Sequence, residues 1–169
     1  MTKQRQNIEA ISDIVRIQTS STPKSTSNGG HLHQTITEIF EEQVRRTPNV
    51  VAVVYGGSQL TYQELNRRSN QLGHYLAVLG VRPGDRVGIC IERSLEMVVG
   101  LLGILKAGAA YVPLDRNYPQ ERLQVMANDT EIKALLVQQK PVHTAAFSSI
   151  SLVVLNDEQQ KIEEQSAQT

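Results

Sequence analysis

The stretch "LKAGAAYVPLD", residues 105–115, decides how the middle of the chain folds. The segment before it is apolar on almost every side from Leu95 to Leu105, which is typical of a helix inside a protein. Lys106 then places a cation in the last helical turn, and Gly108 can adopt the left-handed conformation that commonly follows a helix. The residues "AAYVPL" predict a buried strand. The stretch is therefore interpreted as the join between a helix and a strand.

The charged residues of this stretch allow a second interpretation, a phosphate-binding or catalytic site. A phosphate loop of the form G-x-x-x-x-G-K-[ST] needs its glycines in a loop before the helix and a hydroxyl after the lysine. Here Gly100 and Gly103 lie inside the predicted helix and Ala107 follows Lys106, so the spacing excludes that loop. Asp115 is expected to close a turn by bonding to backbone amides, although it could also face a ligand at the carboxyl end of a strand.

Strands and helices alternate along the chain around this stretch. Predicted helices cover 35–46, a segment begun by "LTYQEL", 94–106 and "PQERLQVM", the last with Pro119 at its first position. Predicted strands are "VVAVVY", "SQLTY", "RVGICI", "AAYVPL", "KALLV" and "SLVVL". Gly56-Gly57 predicts a hairpin between the first two strands. The fold class is therefore α/β, with a mainly parallel sheet, flanking helices, an opening hairpin and an incomplete sheet.

The predicted helix at "LTYQEL" carries a capping box. Thr61 can cap the helix, Glu64 can bond back to the cap, and Leu60 and Leu65 occupy the positions of a hydrophobic staple. Gly80 is expected to end the helix. The residues predicted on its buried face are Leu65, Leu72, Leu76 and Leu79.

Composition divides the chain into three parts. Residues 1–30 combine a weakly amphipathic helix at 4–17 with a Ser/Thr-rich stretch, "TSSTPKSTSNGG", that is typical of a flexible linker. Residues 31–155 form the predicted globular domain. Residues 156–169 are predicted to be a polar tail.

Charge and composition exclude several classes of partner. Seventeen Lys and Arg residues balance seventeen Asp and Glu residues, so neither nucleic acid nor a membrane is expected as a partner. The longest apolar run is interrupted by Lys106 and Pro113, well short of a membrane span. Cys90 lies in an apolar run and is interpreted as a packed strand residue. Residues 1–18 do not resemble a secretory signal, which favours the cytoplasm.

The four histidines do not predict a metal or catalytic site. His31 and His33 form a pair beside the linker, but zinc needs three or four protein ligands. His74 is expected to face solvent or bond to a neighbour, and His143 stands alone in a loop. The residues therefore show no active site.

Several segments together resemble the start of an amino-acid adenylation domain of a nonribosomal peptide synthetase. They are "FEEQVRRTPNVVAVV", "LTYQEL", "GVRPGDRVGICIERSLEMVVGLLGILKAGAAYVPLD" and "YPQERL". "LTYQEL" and "LKAGAAYVPLD" are similar to the first and second core motifs of that family. The resemblance is close over about residues 31–138 and loose over the rest. It implies the N-terminal subdomain of the adenylate-forming fold that acyl-CoA synthetases and luciferases share.

The resemblance also implies a chemistry for the complete domain. Members of this family use ATP and Mg²⁺ to convert an amino acid into an aminoacyl adenylate, and then pass the acyl group to a carrier-domain thiol. The family's phosphate loop, specificity pocket, ribose-binding carboxylate and C-terminal lysine all follow the second core motif, and nothing after Asp115 resembles them. No catalytic, cofactor-binding or metal-binding residue is assigned, and the chain itself is expected to bind no cofactor.

Two hypotheses follow. In the first, the chain is an N-terminal piece of an adenylation domain from a secondary-metabolite synthetase, inactive by itself, with the rest of the domain and a carrier domain as partners. In the second, it is a non-catalytic half-domain that docks on a partner synthetase or complementary fragment through an exposed sheet edge and an unfilled core face. A fragment of an acyl-CoA ligase is a weaker third possibility, because both motifs are closer to the amino-acid branch.

Overall fold

The computed structural model describes residues 34–139, 147 and 150–168. The predicted helix at 4–17, the linker, and His31, His33 and His143 lie outside the described residues. The chain divides into two compact units, Met1–Gln63 and Glu64–Thr169.

In the first unit, the first element among the described residues is a helix, α1, at Ile36–Arg46. Thr35 caps it, because its hydroxyl accepts from the Glu38 amide while the Glu38 carboxylate accepts from the Thr35 amide at 2.7 Å. Arg45 and Arg46 occupy the last turn, where cations meet the negative end of the helix dipole. The predicted helix at 35–46 is thus confirmed, with a capping box that sequence reasoning did not identify.

A β-hairpin follows in the same unit. Strand β1 (Val51–Tyr55) pairs antiparallel with β2 (Ser58–Thr61). Gly56 and Gly57 both have positive φ, 59° and 82°, the conformation that a two-residue hairpin turn of type I′ requires. The hairpin predicted from these two glycines is confirmed.

The second unit is built on a parallel sheet, and helix α2 (Tyr62–Val78) leads into it. The elements that follow are β3 (Arg86–Cys90), α3 (Leu95–Lys106), β4 (Ala110–Pro113), α4 (Gln120–Asp129), β5 (Ala134–Val137), β6 (Ser151–Val154) and α5 (Gln159–Glu163). The four strands described in this sheet are parallel and lie in the order β4-β3-β5-β6. The α/β class and the parallel sheet are confirmed.

Side chains of alternate residues pack against helices on the two faces of this sheet. On one face, Leu135 and Val137 of β5 belong to a core cluster with Ala127 of α4. On the other face, a Cβ built on Gly100 of α3 would meet Ile89 and Leu136. The sheet therefore lies between α3 and α4, as the near-continuous apolar sequence of β5 requires.

Helix α2 differs from prediction at its C-terminus. Leu65, Leu72 and Leu76 are buried as expected, but Leu79 is 38% exposed. The prediction that Leu79 is buried was wrong. Helix α2 ends at Val78, so helical periodicity does not determine where the Leu79 side chain lies. Gly80, with a φ of 92°, lies in the turn that follows.

The structure departs from the sequence expectations at two further places. Pro119 is the N-cap of α4 instead of its first helical residue. The segment predicted as a polar tail turns at residues 155–157, forms the short helix α5 and continues along α2 to residue 168. Within the described residues, no helix has the length and apolar character that crossing a membrane requires.

Candidate functional site

The order of the strands creates a crevice between β3 and β5. The connection from β3 leads to β4 on one side, whereas the connection from β5 leads to β6 on the other side. In open α/β sheets, ligands bind outside the carboxyl ends of the strands where the connections diverge in this way. Cys90 and Val137 are paired at those carboxyl ends.

A cavity of about 500 Å³ occupies this position. Its apolar walls come from β5, from α4, from the residue after β4 and from the segment between β5 and β6, and they are formed by Leu114, Leu123, Leu135, Val137 and Phe147. Cys90, Gln138 and Gln139 add polar groups. The cavity has the volume of a small-molecule site.

Charged residues line the mouth of the crevice. Arg116 donates from Nη1 to the Glu92 carboxylate, which joins the loop after β4 to the loop after β3. The two side chains are 61% and 62% exposed, so this pair contributes little to stability by itself. The pair bridges the two loops at the edge of the cavity.

Asp115 serves the same loop. Its Oδ1 accepts from the Asn117 backbone amide and from Asn117 Nδ2, each at 2.9 Å, and its carbonyl accepts from the Tyr118 amide at 3.0 Å. The turn that the sequence predicted for Asp115 is therefore present. One oxygen of the carboxylate, Oδ1, is thus engaged within the loop.

Cys90 is the last residue of β3 and borders the cavity. Burial raises the pKa of its thiol, which the Arg116 charge lowers and the Asp115 charge raises by smaller amounts. The thiol is thus neutral at pH 7, whereas a nucleophilic cysteine needs a depressed pKa. The interpretation of Cys90 as a packed strand residue agrees with this environment.

Lys106 precedes β4, whereas the crevice lies at the carboxyl ends of the strands. It is the last residue of α3, and Gly108 after it has a φ of 75° and accepts from the Gly84 amide at 2.9 Å. This helix end precedes β4, whereas Asp115 follows β4. The two charged residues of the opening stretch therefore lie at opposite ends of one strand and cannot form a single site.

No group of three or more His, Cys, Asp or Glu side chains among the described residues could hold a metal ion. Of the residues that the structure describes around the crevice, one carries a guanidinium, which is paired, and none belongs to a glycine-rich loop.

The polar contacts of α2 were not found from sequence. His74 Nδ1 lies 2.7 Å from the Ser166 carbonyl, which realises one of the two alternatives considered for that residue. Asn70 and Gln71 are buried and also bond to the segment after β6. No local motif marks these residues, because their partners are more than ninety positions away in sequence.

The chain is similar to known proteins over most of its length. Residues 40–169 match the family model described as "AMP-binding enzyme". Gramicidin S synthase 2 of Brevibacillus brevis is 50% identical over 121 residues, which are 72% of this chain and 3% of the synthase. Tyrocidine synthase 3 of Brevibacillus parabrevis is 51% identical over 114 residues, which are 68% of this chain and 2% of that protein.

A solved structure agrees with these matches. The nonribosomal peptide synthetase FmoA3, solved with alpha-methyl-L-serine-AMP bound, superposes with a TM-score of 0.69 at 33% identity, covering 78% of this chain and 15% of that one.

The parallel sheet and the family match together define the class, and the chain belongs to the AMP-binding enzyme family. Within that family it corresponds to an N-terminal part of an adenylation domain of nonribosomal peptide synthetases. It spans only a small fraction, 2–3%, of the length of the gramicidin S and tyrocidine synthases.

Proposed function

We propose that this chain supplies the scaffold of an amino-acid-activating adenylation domain and performs no chemistry by itself. One observation carries the proposal: the charged residues of the most distinctive motif serve structure, with Lys106 ending α3 and Asp115 closing the turn after β4. In the complete domain, ATP and Mg²⁺ would be bound by residues outside this chain, and a carrier domain would accept the acyl group. We assign residues 31–155 to this domain as the globular part expected from the sequence, and the family match extends to residue 169.

The matched relatives support amino-acid activation as the chemistry of the complete domain. They include synthases named for gramicidin S and tyrocidine, and a similar solved structure holds an aminoacyl adenylate. Secondary-metabolite biosynthesis and a cytoplasmic location, which the sequence favours, are parts of the same proposal.

ATP–pyrophosphate exchange tests the scaffold role directly. The purified chain, assayed with the proteinogenic amino acids, ATP and Mg²⁺, is expected to give only background exchange. Lys106→Ala is the matched control, because exchange from a contaminating synthetase would not change in this variant. Exchange above background that is lost in Lys106→Ala would overturn the proposal.

A second candidate, a non-catalytic module that docks on a partner, is favoured by the edge of the sheet. Among the described strands, β4 has only β3 as a neighbour. The Ala110 and Leu114 amides bond toward β3, so the backbone groups of Tyr111 between them face outward. The Tyr111 side chain is 46% exposed. An extended segment of a partner could pair there.

Thermal unfolding separates the two candidates. A chain that folds as a module by itself should unfold in one cooperative transition with near-ultraviolet circular dichroism from its tyrosines. A piece that needs the rest of its domain should show secondary structure without fixed tertiary signals. Cooperative unfolding without exchange activity would favour the docking module.

A further inference from the structure

Helix α2 contacts a distant part of the chain through polar side chains. Residues 159–168, here called the strap, run along this helix, and side chains of α2 bond to the main chain of the strap. The bonds join Asn70 Nδ2 to Ala167 O at 2.7 Å, Gln71 Nε2 to Glu163 O at 2.6 Å and Gln165 O at 3.4 Å, and His74 Nδ1 to Ser166 O at 2.7 Å.

Two of these side chains are buried amides. Asn70 is 3% exposed and Gln71 is 5% exposed. A buried amide costs free energy unless its polar groups are hydrogen-bonded. The carbonyl groups of the strap accept hydrogen bonds from these side-chain amides. The contact therefore satisfies buried donors of α2 and holds the strap against the helix.

A neighbouring residue fixes the direction of the Gln71 amide. Arg67 donates from Nη1 to Gln71 Oε1 at 3.0 Å. A guanidinium cannot accept a hydrogen bond, so the oxygen of Gln71 must face Arg67 and its NH₂ group must face the strap. The same reasoning assigns the proton of His74, because the Ser166 carbonyl only accepts and Nδ1 must therefore carry the hydrogen.

Little apolar surface holds the strap in place. Helix α5 has five residues and none of them is buried. Ile162 is half-buried and lines, with Leu72 and Val99, a cleft of about 120 Å³ beneath the strap. Segments with few buried apolar contacts open locally at a lower free energy than the rest of a protein.

We propose that α2 carries a docking site for polypeptide main chain, formed by Asn70, Gln71 and His74, and that the strap occupies it as a releasable segment. The site recognises carbonyl groups, which every residue has, so it tolerates side-chain changes in the strap. Opening the strap uncovers the site and the cleft while the sheet stays folded.

Limited trypsin digestion measures this opening. Lys161 is the one basic residue in the sequence of the strap. Lys133 directly precedes β5, and its backbone is bonded to both neighbouring strands, through its amide to Arg86 O and through its carbonyl to the Ser151 amide. Cleavage follows the equilibrium population of the open form when opening is fast relative to cleavage. The rate of cleavage after Lys161 therefore reports release of the strap, and that after Lys133 reports unfolding of the sheet.

Gln71→Glu is the sharpest variant. It keeps an oxygen for Arg67 and places a carboxylate where the strap carbonyls need a donor. We expect cleavage after Lys161 to rise about fivefold to tenfold, the effect of losing one hydrogen bond, with cleavage after Lys133 unchanged. Ala167→Ser keeps the carbonyl that Asn70 contacts, and it should leave both rates as they are.

Two results would overturn the proposal. An equal rise at Lys161 and Lys133 in Gln71→Glu would mean that Gln71 only stabilises the fold, and no rise at Lys161 would mean that it does not hold the strap. The unsubstituted chain gives an independent measurement if the variant fails to fold. Its cleavage after Lys161 should begin at urea concentrations below those that permit cleavage after Lys133, and coincident onsets would exclude a releasable strap.

Discussion

Leu72 of α2 fills the space that a side chain on Gly103 of α3 would need. A Cβ built on Gly103 would lie 2.8 Å from Leu72 Cδ2, 2.9 Å from its Cγ and 3.0 Å from its Cβ. Both residues are buried, and Leu72 is 1% exposed. The two helices thus approach closely at a point where only glycine fits, and the inner atoms of Leu72 cannot move aside without its backbone.

Gly103→Ala should therefore destabilise the fold by about 1–3 kcal/mol, the usual cost of overpacking a core. Gly100→Ala is the matched control, since its nearest contact is the mobile end of Ile89 at 3.0 Å. There the gain in helix propensity, up to about 1 kcal/mol, opposes a small steric cost. Urea unfolding of both variants measures the difference, and equal stabilities would contradict the close approach.

Tyr75 predicts a loss of stability at alkaline pH. Its hydroxyl donates to the Glu158 carboxylate, and burial together with that bond raises its pKa from 10.0 to about 12. A raised pKa means that the stabilisation is complete below pH 10 and is lost as the pH rises toward 12. Unfolding free energies measured at intervals from pH 8 to pH 12 should fall for this reason.

Tyr75→Phe isolates this contribution from other groups that titrate at high pH. At pH 8 the variant should be less stable by about 1–3 kcal/mol, because a hydrogen bond to a charged group is lost. The difference between the two proteins should shrink as the pH approaches 12. A constant difference across this range would show that Tyr75 ionises normally.

The partly buried thiol of Cys90 should react slowly. Because burial raises its pKa, the fraction of thiolate at pH 7.5 is lower than for a free cysteine. Alkylation by iodoacetamide, followed by mass spectrometry, should be slower in the folded chain than in urea. Equal rates would mean that the carboxyl end of β3 is open to solvent and that the thiol is not held as described.

The capping box of α1 predicts a local effect. Thr35→Ala removes the acceptor of the Glu38 amide and should weaken the helix by about 1 kcal/mol. Glu38→Gln retains an acceptor for the Thr35 amide and should have a smaller effect. Hydrogen exchange of residues 36–46 measures both, and a larger effect of Glu38→Gln would contradict the capping geometry.

The fold was predictable where a residue type dictates a local conformation. Gly56-Gly57 has the positive φ values of a hairpin turn, and Gly108 has the left-handed conformation expected after α3. Strand β5, with four buried apolar residues in succession, could only lie inside a sheet that is covered on both faces. In each case the determining interaction lies within a few residues in sequence.

Features that depend on distant main chain were not predictable. The polar composition after Asn156 favoured a tail, whereas its carbonyl groups satisfy Gln71 and its neighbours on α2. Carbonyl acceptors are present in every sequence and leave no pattern. The crevice at the carboxyl ends of β3 and β5 was anticipated only as a general position for Asp115. The strand order that creates the crevice depends on contacts between strands that are distant in sequence.

Pro113 limits what the outer edge of β4 can do. The Ala110 and Leu114 amides donate toward the β3 side, so the nitrogens of Tyr111 and Pro113 face the outer side of β4. Proline has no amide hydrogen to donate there. A strand that pairs with this edge can accept a hydrogen bond from the Tyr111 amide, but residue 113 offers no amide donor. One imino acid within residues 105–115 therefore disfavours edge-to-edge pairing of chains along β4.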